Sequence, residues 1–122
     1  MVGIGTDIVE TRDIAGRLAR SENLLEFVFS EDEKRQGEAH SVPARSYAGM
    51  FAAKEAFLKA IGLGVLDGIP LREIEVVGAG TRACRLLLGP SAAAALRRAG
   101  GTKAELSTSI GPGFAMAMVV VT

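Results

Sequence analysis

The sequence predicts an α+β fold in a single domain, residues 1–122. Strand patterns, in which side chains of different type alternate, occur at both ends of the chain and near residue 80, and helical patterns are grouped between them. Strands and helices that are segregated in this way are typical of α+β domains. A chain of 122 residues without linker-like stretches or repeats also suits one domain with a substantial core.

The first predicted element is a strand over residues 2–10. One of its two faces carries Gly3, Gly5 and Asp7 and is nearly bare of side chains. A short helix is expected next, with Thr11 as its N-cap.

Two further helices are predicted from the residues at their N-termini. Ser30 and Glu33 have the spacing of a capping box, which predicts a second short helix that ends near Gly37. Pro43 then precedes the longest helical stretch, residues 44–61, which ends at a glycine-rich turn.

The second half of the chain contains the remaining strands and one helix. Residues 71–77 and 82–88 are predicted to form a hairpin around a glycine-containing loop. Residues 90–99 are rich in alanine and predict a helix, and residues 103–109 and 114–121 predict the last two strands.

The composition excludes several classes of function. Fourteen basic and fourteen acidic residues cancel, which removes the bulk attraction that nucleic acids or anionic membranes need. One Cys and one His exclude an intrachain disulfide, a Cys-rich zinc site and a paired-His metal site. No signal-peptide pattern is present, and no apolar run reaches the ~20 residues of a membrane span. We therefore expect a soluble protein of a reducing compartment, the cytoplasm.

The long helix carries a lysine within its apolar face. Plotted at 100° per residue, the core face comprises Tyr47, Met50, Phe51, Phe57, Leu58 and Ile61. Lys54 falls near the middle of this arc, where burial of an unpaired ammonium would be costly. Its side chain either extends along the apolar surface to water, which the pattern alone favours, or meets an anion.

Three charged residues are candidates for chemistry. On the pattern alone, Glu55 and Lys59 make an exposed helical ion pair, and Asp7 makes local backbone bonds near a strand end. The alternative is a polyanion site. The surrounding helix face consists of small residues, so a backbone or a ligand can approach it closely. This face comprises Ala48, Gly49, Ala52, Ala53, Ala56 and Ala60. Asp7 and Glu55 would then hold Mg²⁺, with substrate oxygens completing its ligand shell.

Other reactive residue types are weaker candidates. His40 is expected in a solvated loop, and Cys84 is expected as a buried structural thiol. Gly62 is sufficiently explained as the C-cap of the long helix. The pattern therefore assigns no chemistry to these three positions.

Two stretches resemble the motifs of a known family. Residues 3–10, GIGTDIVE, are similar to the N-terminal motif of the holo-acyl-carrier-protein synthases, the small bacterial 4'-phosphopantetheinyl transferases. Residues 51–62, FAAKEAFLKAIG, are similar to the helix motif of that family, and Gly64 fits the turn that follows. With FSEDE at residues 29–33 and the last strands, the resemblance covers essentially the whole chain.

The resemblance implies an enzyme that uses Mg²⁺ to transfer 4'-phosphopantetheine from coenzyme A to a serine of an apo acyl or peptidyl carrier protein. Adenosine 3',5'-bisphosphate would be released, and fatty acid biosynthesis is one pathway that needs this step. By motif position, Asp7 and Glu55 would hold the metal, and Lys59 would act with them at phosphate oxygens and on the serine proton. The implied coenzyme A contacts are Lys54, Lys59, Gly62, Gly64 and Ser107.

The family also implies an architecture and an assembly. The expected fold is a small, mostly antiparallel sheet packed on one long and several short helices. The expected assembly is a homotrimer whose active sites lie between subunits, which would explain how so short a chain builds a cleft for coenzyme A.

Three positions depart from the family pattern and keep a second function open. Asp13 stands where many relatives have arginine, Met50 where the motif is usually basic, and Ile110 where histidine often occurs. The alternative function is a non-catalytic module of the same fold that binds coenzyme A or a carrier protein. A third possibility, an unrelated α+β oligomerisation domain, would leave the four charged residues in family register unexplained.

Overall fold

The computed structural model describes residues 2–122, apart from the side chain of Glu22. Its helices are α1 (Thr11–Arg20), α2 (Glu22–Val28), α3 (Glu31–Ala39), α4 (Pro43–Ala60) and α5 (Pro90–Arg98). Its strands are β1 (Gly3–Glu10), β2 (Ile74–Val77), β3 (Arg85–Leu88), β4 (Ala104–Ile110) and β5 (Phe114–Val121). None of the helices described is long and apolar enough to cross a membrane.

The strands form a three-stranded sheet and a separate hairpin. β5 is the central strand of the sheet and pairs antiparallel with β1 on one side and β4 on the other. β2 and β3 pair antiparallel with each other. α4 packs across one face of the three-stranded sheet and supplies much of the buried core. The predicted α+β fold, with an antiparallel sheet on one long helix, is therefore confirmed.

β1 and α4 approach closely because two residues of β1 lack a side chain. A Cβ at Gly3 would lie 1.9 Å from the carbonyl oxygen of Ala60, and a Cβ at Gly5 would lie 2.1 Å from that of Ala56. Only glycine fits at such distances. The small-residue face of α4 therefore admits another backbone, which is one of the two uses that the sequence suggested. The approach also places Asp7, on the same face of β1, against α4.

Most predicted elements are present, and three details need correction. The capping box exists, since the Glu33 backbone N–H donates to Ser30 Oγ at 3.2 Å and the Ser30 backbone N–H donates to Glu33 Oε1 at 2.9 Å. Thr11 is the first residue of α1 and not its N-cap, and no side chain caps this helix. α2 has no counterpart among the predicted elements. β2 and β3 are shorter than expected, because Leu71–Glu73 forms a 3₁₀ turn and β3 begins at Arg85.

The sheet face opposite α4 is apolar and exposed. Its large side chains are between 45% and 58% exposed. They are Ile4, Ile8, Phe114, Met116 and Met118. An apolar patch of this kind on a folded chain marks an interaction surface.

Candidate active site

Asp7, Glu55 and Lys59 meet where β1 packs on α4. The Lys59 ammonium donates to Asp7 Oδ1 at 2.9 Å and to the carbonyl oxygen of Thr6 at 3.1 Å. Alternation along β1 points Asp7 towards the helix, and the four-residue spacing puts Glu55 and Lys59 on one face of α4. The structure thus brings together the three residues that the sequence predicted as catalytic.

Asp7 lies in a setting with little water, and Glu55 is half-buried. The Asp7 side chain is 10% exposed, and its Oδ2 is buried without a hydrogen-bond partner. Burial, followed by the neighbouring charge of Asp7, raises the pKa of Glu55, and Lys59 opposes this shift. Lys59 binds only Oδ1 of Asp7, so the buried Oδ2 is left without a donor beside a second carboxylate.

This arrangement fits a hard divalent cation. Mg²⁺ prefers oxygen ligands and commonly binds through one or two carboxylates together with substrate phosphates. The unpartnered Oδ2 of Asp7 and the carboxylate of Glu55 supply such oxygens. Among the residues that the structure describes, no group of three or more His, Cys, Asp or Glu side chains could hold a metal. A cation here would therefore take its remaining ligands from water or substrate.

Lys59 is held as a cation in this structure. Its hydrogen bond with Asp7, and then the charge of that carboxylate, raises the pKa of Lys59. A lysine that accepts the serine proton would need a lowered pKa. The raised pKa favours the ammonium form in this structure, and the role of Lys59 on the serine proton stays a prediction. With a side chain 54% exposed, Lys59 is suited to neutralising a phosphate that approaches from solvent.

Two concave spaces adjoin these residues. A cavity of about 390 Å³ is lined by the two carboxylates and, from α1, by Asp13 and Arg17. A smaller pocket of about 100 Å³ is lined by Glu55, Lys59 and residues of the following turn, among them Gly64. Because Glu55 lines both spaces, a ligand with a charged centre and two arms could occupy both.

Lys54 is not part of this arrangement. It is completely buried, and its ammonium donates to Glu33 Oε1 at 2.8 Å and to the carbonyl oxygens of Leu71 and Ile74. Desolvation lowers the pKa of Lys54 and raises that of Glu33, and their mutual attraction opposes both shifts. Of the two alternatives for Lys54, the structure shows the contact with an anion. This anion is Glu33 of the same chain, so the expected contact of Lys54 with a phosphate of coenzyme A is wrong in this structure.

The geometry can be compared with known proteins. A family model described as the 4'-phosphopantetheinyl transferase superfamily matches residues 3–117. The chain belongs to this superfamily. Among curated relatives, the holo-[acyl-carrier-protein] synthase of Photorhabdus laumondii is 36% identical over 122 residues, 99% of this chain and 97% of the relative. The corresponding enzyme of Methylobacterium sp. (strain 4-46) is 38% identical over 114 residues, 93% and 77% of the two chains.

Solved structures of this family have the same fold. The holo-[acyl-carrier-protein] synthase of Neisseria meningitidis superposes with a TM-score of 0.87 at 28% identity, covering 100% of this chain and 98% of the other. That of Helicobacter pylori, solved in complex with coenzyme A, superposes with a TM-score of 0.81 at 28% identity, covering 98% and 99%. The resemblance seen in the motifs is confirmed, and the protein is an enzyme of the holo-[acyl-carrier-protein] synthase family.

Of the expected coenzyme A contacts, Ser107 lies away from Asp7 and Glu55, and Gly62 serves as a helix cap. Ser107 is exposed on the sheet face opposite α4, beside Met116 and Met118. Gly62 has φ +78° and donates its N–H to the carbonyl oxygen of Lys59 at 3.1 Å, so it ends α4 as a left-handed cap. Within one chain, the structure therefore does not join Ser107 to the carboxylates.

The family departures have structural explanations. Met50 is buried in the core. Ile110 points towards α4, where a Cβ on Gly49 would lie 2.6 Å and one on Gly80 2.9 Å from its Cδ1 atom. Asp13 lines the larger cavity. The side chains at positions 50 and 110 thus belong to packing, and only position 13 changes the charge around the site.

The sequence patterns left two features unrecognised, one in the larger cavity and one in the core. Arg17 and Asp13 are four apart on α1, and this helical spacing could have indicated that they share the face that lines the cavity. Glu33 was assigned to the capping box alone, and nothing in its local pattern indicated Lys54 as a further partner.

The weaker candidates stay outside the site. His40 follows α3, and its Nδ1 accepts the backbone N–H of Val42 at 2.9 Å. Cys84 accepts a hydrogen bond from the Thr108 hydroxyl at 3.3 Å, and burial raises the pKa of the thiol. Neither residue lines the cavities that contain Glu55.

Proposed function

We propose that this protein transfers 4'-phosphopantetheine from coenzyme A to a serine of an apo acyl or peptidyl carrier protein, with Mg²⁺ as cofactor, and releases adenosine 3',5'-bisphosphate. The observation that supports this most directly is the buried, unpartnered Oδ2 of Asp7 beside Glu55 and Lys59. Family membership supports the class of reaction, and the Helicobacter pylori relative was solved with coenzyme A.

The residues of the site suit phosphoryl transfer. Asp7 and Glu55 would hold Mg²⁺, which supplies positive charge at the pyrophosphate. Lys59 neutralises a further phosphate oxygen. The serine oxygen bonds to the phosphorus that carries pantetheine, and the bond from that phosphorus to the oxygen of adenosine bisphosphate breaks, so the leaving group keeps the electron pair. The chain aligns these groups and excludes water around Asp7, which is what such a reaction requires of a protein.

The serine proton must leave without an imidazole. His40 lies at the end of α3, and the position that carries histidine in many relatives holds Ile110, which is packed against α4. Lys59 is stabilised as an ammonium. The remaining acceptors are solvent and a carboxylate other than the two that would hold the metal.

We propose a homotrimer as the active form. The exposed apolar sheet face needs a cover, and Ser107 lies on that face beside Thr6. A neighbouring copy seated there would bring its own residues close to Ser107, so the cleft for coenzyme A would be shared between subunits. Sedimentation as a stable monomer at micromolar concentration would refute the shared site. The single catalytic domain and the cytoplasmic location also belong to the proposal.

The decisive experiment is a transfer assay with defined substrates. The purified protein is incubated with coenzyme A, Mg²⁺ and a panel of apo carrier proteins, and the carriers are weighed by mass spectrometry. We expect a gain of one phosphopantetheine, and a chain that only binds would give none. Asp7→Ala and Glu55→Ala should each lower the rate ~100-fold or more, because a lost ligand removes several kcal/mol of charge stabilisation. Asp32→Ala, at an exposed carboxylate of α3, is the matched control.

A further inference from the structure

Lys54 and Glu33 form an ion pair without access to water. Both side chains are 0% exposed, and the Lys54 ammonium lies 2.8 Å from Glu33 Oε1. Lys54 donates its other hydrogen bonds to the carbonyl oxygens of Leu71, at 2.7 Å, and Ile74, at 2.8 Å. Glu33 Oε2 accepts the backbone N–H of Val76 at 2.8 Å. The three donors of the ammonium are thus satisfied within the chain.

The pair connects parts of the chain that are distant in sequence. Glu33 belongs to the first turn of α3, Lys54 to the middle of α4, and their backbone partners to the 3₁₀ turn and β2. The 3₁₀ turn is also joined to α5, since the Gly89 N–H donates to the carbonyl oxygen of Glu73 at 2.8 Å and the Ser91 N–H donates to Glu73 Oε1 at 2.7 Å. Lys54 therefore links α4 to a unit of the 3₁₀ turn, β2 and the start of α5.

Stability alone is a poor explanation for this pair. Removing two charges from water is costly, and replacement of a buried ion pair by well-packed neutral side chains is often neutral or stabilising. The pair instead fixes the position of the 3₁₀ turn and β2 relative to α4. Short, directional hydrogen bonds hold the carbonyl groups of Leu71 and Ile74 at one position along the axis of α4. Apolar contacts, which have no direction, would fix this position less closely.

The segment that Lys54 holds borders the candidate active site. Lys54 directly precedes Glu55, and residues 61–70 connect the end of α4 to the 3₁₀ turn. Residues of this connection line the small pocket that contains Glu55: Leu63, Gly64 and Val65. Residues 64–68 are exposed, so their position depends on how the two ends of the connection are held.

We infer that Lys54 and Glu33 are positioning residues, which hold the end of segment 61–74 against α4 and thereby shape the pocket that takes the phosphate end of coenzyme A. The inference rests on the proposed function for the identity of this ligand. Neither side chain lines the pocket. Both therefore act indirectly, by fixing the position of residues 61–70 and of α4. Their loss should therefore weaken coenzyme A binding and leave binding of the carrier protein largely unchanged.

The test compares Lys54→Met with the double variant Glu33→Gln/Lys54→Met. The single variant leaves a buried carboxylate without its cation, so we expect a much lower melting temperature. The double variant removes both charges but leaves the carbonyl oxygens of Leu71 and Ile74 without the Lys54 donor, so it should melt between the single variant and the wild type. In assays well below this melting temperature, KM for coenzyme A should still be raised about tenfold, with KM for carrier protein within about twofold of wild type. Backbone amides of residues 62–74 should also exchange hydrogen faster.

The matched control is Lys34→Met, which removes a surface lysine paired with Glu26 and Glu31 and should leave KM and exchange unchanged. A double variant with wild-type KM and wild-type exchange would overturn the inference. So would a double variant that melts as low as Lys54→Met, because the pair would then serve stability. Exchange is measured without substrate. A wild-type chain that shows no transfer would therefore defeat the proposed function, while the exchange data would still decide the positioning role.

Discussion

Replacement of Gly5 by alanine tests the close packing that brings Asp7 to the residues of α4. The new Cβ would lie 2.1 Å from the carbonyl oxygen of Ala56, whereas ordinary contact begins near 3.4 Å, a deficit of about 1.3 Å. It would also lie 2.6 Å from the backbone nitrogen of Ala60. Because both obstacles are backbone atoms, no side chain can turn aside, and β1 and α4 must separate.

The separation has a cost in stability and a cost in rate. Overpacking of this severity falls at the upper end of the usual range, ~3 kcal/mol, which for a chain of this length lowers Tm by roughly 10 °C. Asp7 moves with β1, and a displacement of about 1 Å between catalytic groups costs ~100-fold in rate. Calorimetry measures the first effect. Transfer assays well below the lowered Tm measure the second.

The control is a second glycine-to-alanine change with the opposite expected sign. Gly16 lies inside α1, and the nearest atom to its added Cβ is the guanidinium of Arg20 at 3.2 Å, which can move. Gly16→Ala should therefore raise the free energy of unfolding by ~0.5 to 1 kcal/mol and leave transfer unchanged. If Gly5→Ala melted and reacted like the wild type, the packing argument for the site would be refuted.

Three further predictions concern charge and pH. Glu55→Gln should abolish transfer yet raise the Tm of the metal-free protein at about pH 8, because the pKa of Glu55 is raised in the folded chain and its ionised form therefore costs stability. Calorimetry with a chelator should show this gain shrink as the pH falls and vanish near about pH 3, where the carboxyl is protonated in both the folded and the unfolded state. Reversal of Arg20, a basic residue in the last turn of α1 that lines neither cavity at Glu55, to Glu should raise KM for an acidic carrier protein in a salt-dependent manner and leave KM for coenzyme A unchanged. Equal effects on both KM values would contradict a docking role. His40→Ala should leave the pH profile of kcat unchanged, without a limb near ~6.5, and loss of such a limb in this variant would show that the imidazole takes part.

The sequence predicted those helices whose ends carry a recognisable capping or terminating residue. The α3 helix begins at its capping box, and α4 begins at Pro43 and ends shortly before Gly62, because each of these signals acts within a few residues. α2 has seven residues and no capping side chain, so its pattern carried no comparable signal. The strand predicted from residue 71 begins at Ile74, and the 3₁₀ turn in place of its first three residues is bound by a distant side chain, since Lys54 donates to the carbonyl oxygen of Leu71.

The candidate site was predictable for a related reason. Alternation in β1 decides that Asp7 faces the same way as Gly3 and Gly5, and helical spacing decides that Glu55 and Lys59 share a face. The two faces then meet because glycine and alanine leave room between them. The same alternation points Ser107 outward from β4, away from the carboxylates of its own chain. A motif match places a residue in a family site without saying which subunit supplies it.

Lys54 shows where pattern reasoning stops. Its place on the apolar arc of α4 established that the ammonium needs either water or an anion, and general experience with lysine favoured water. The anion is Glu33, a residue whose capping bond already explained its presence. A carboxylate has two oxygens, however, and here Oε1 accepts from both Ser30 and Lys54 while Oε2 accepts from Val76. A capping carboxylate therefore keeps capacity for a distant cation, and a lysine on an apolar helix face is a reason to look for one.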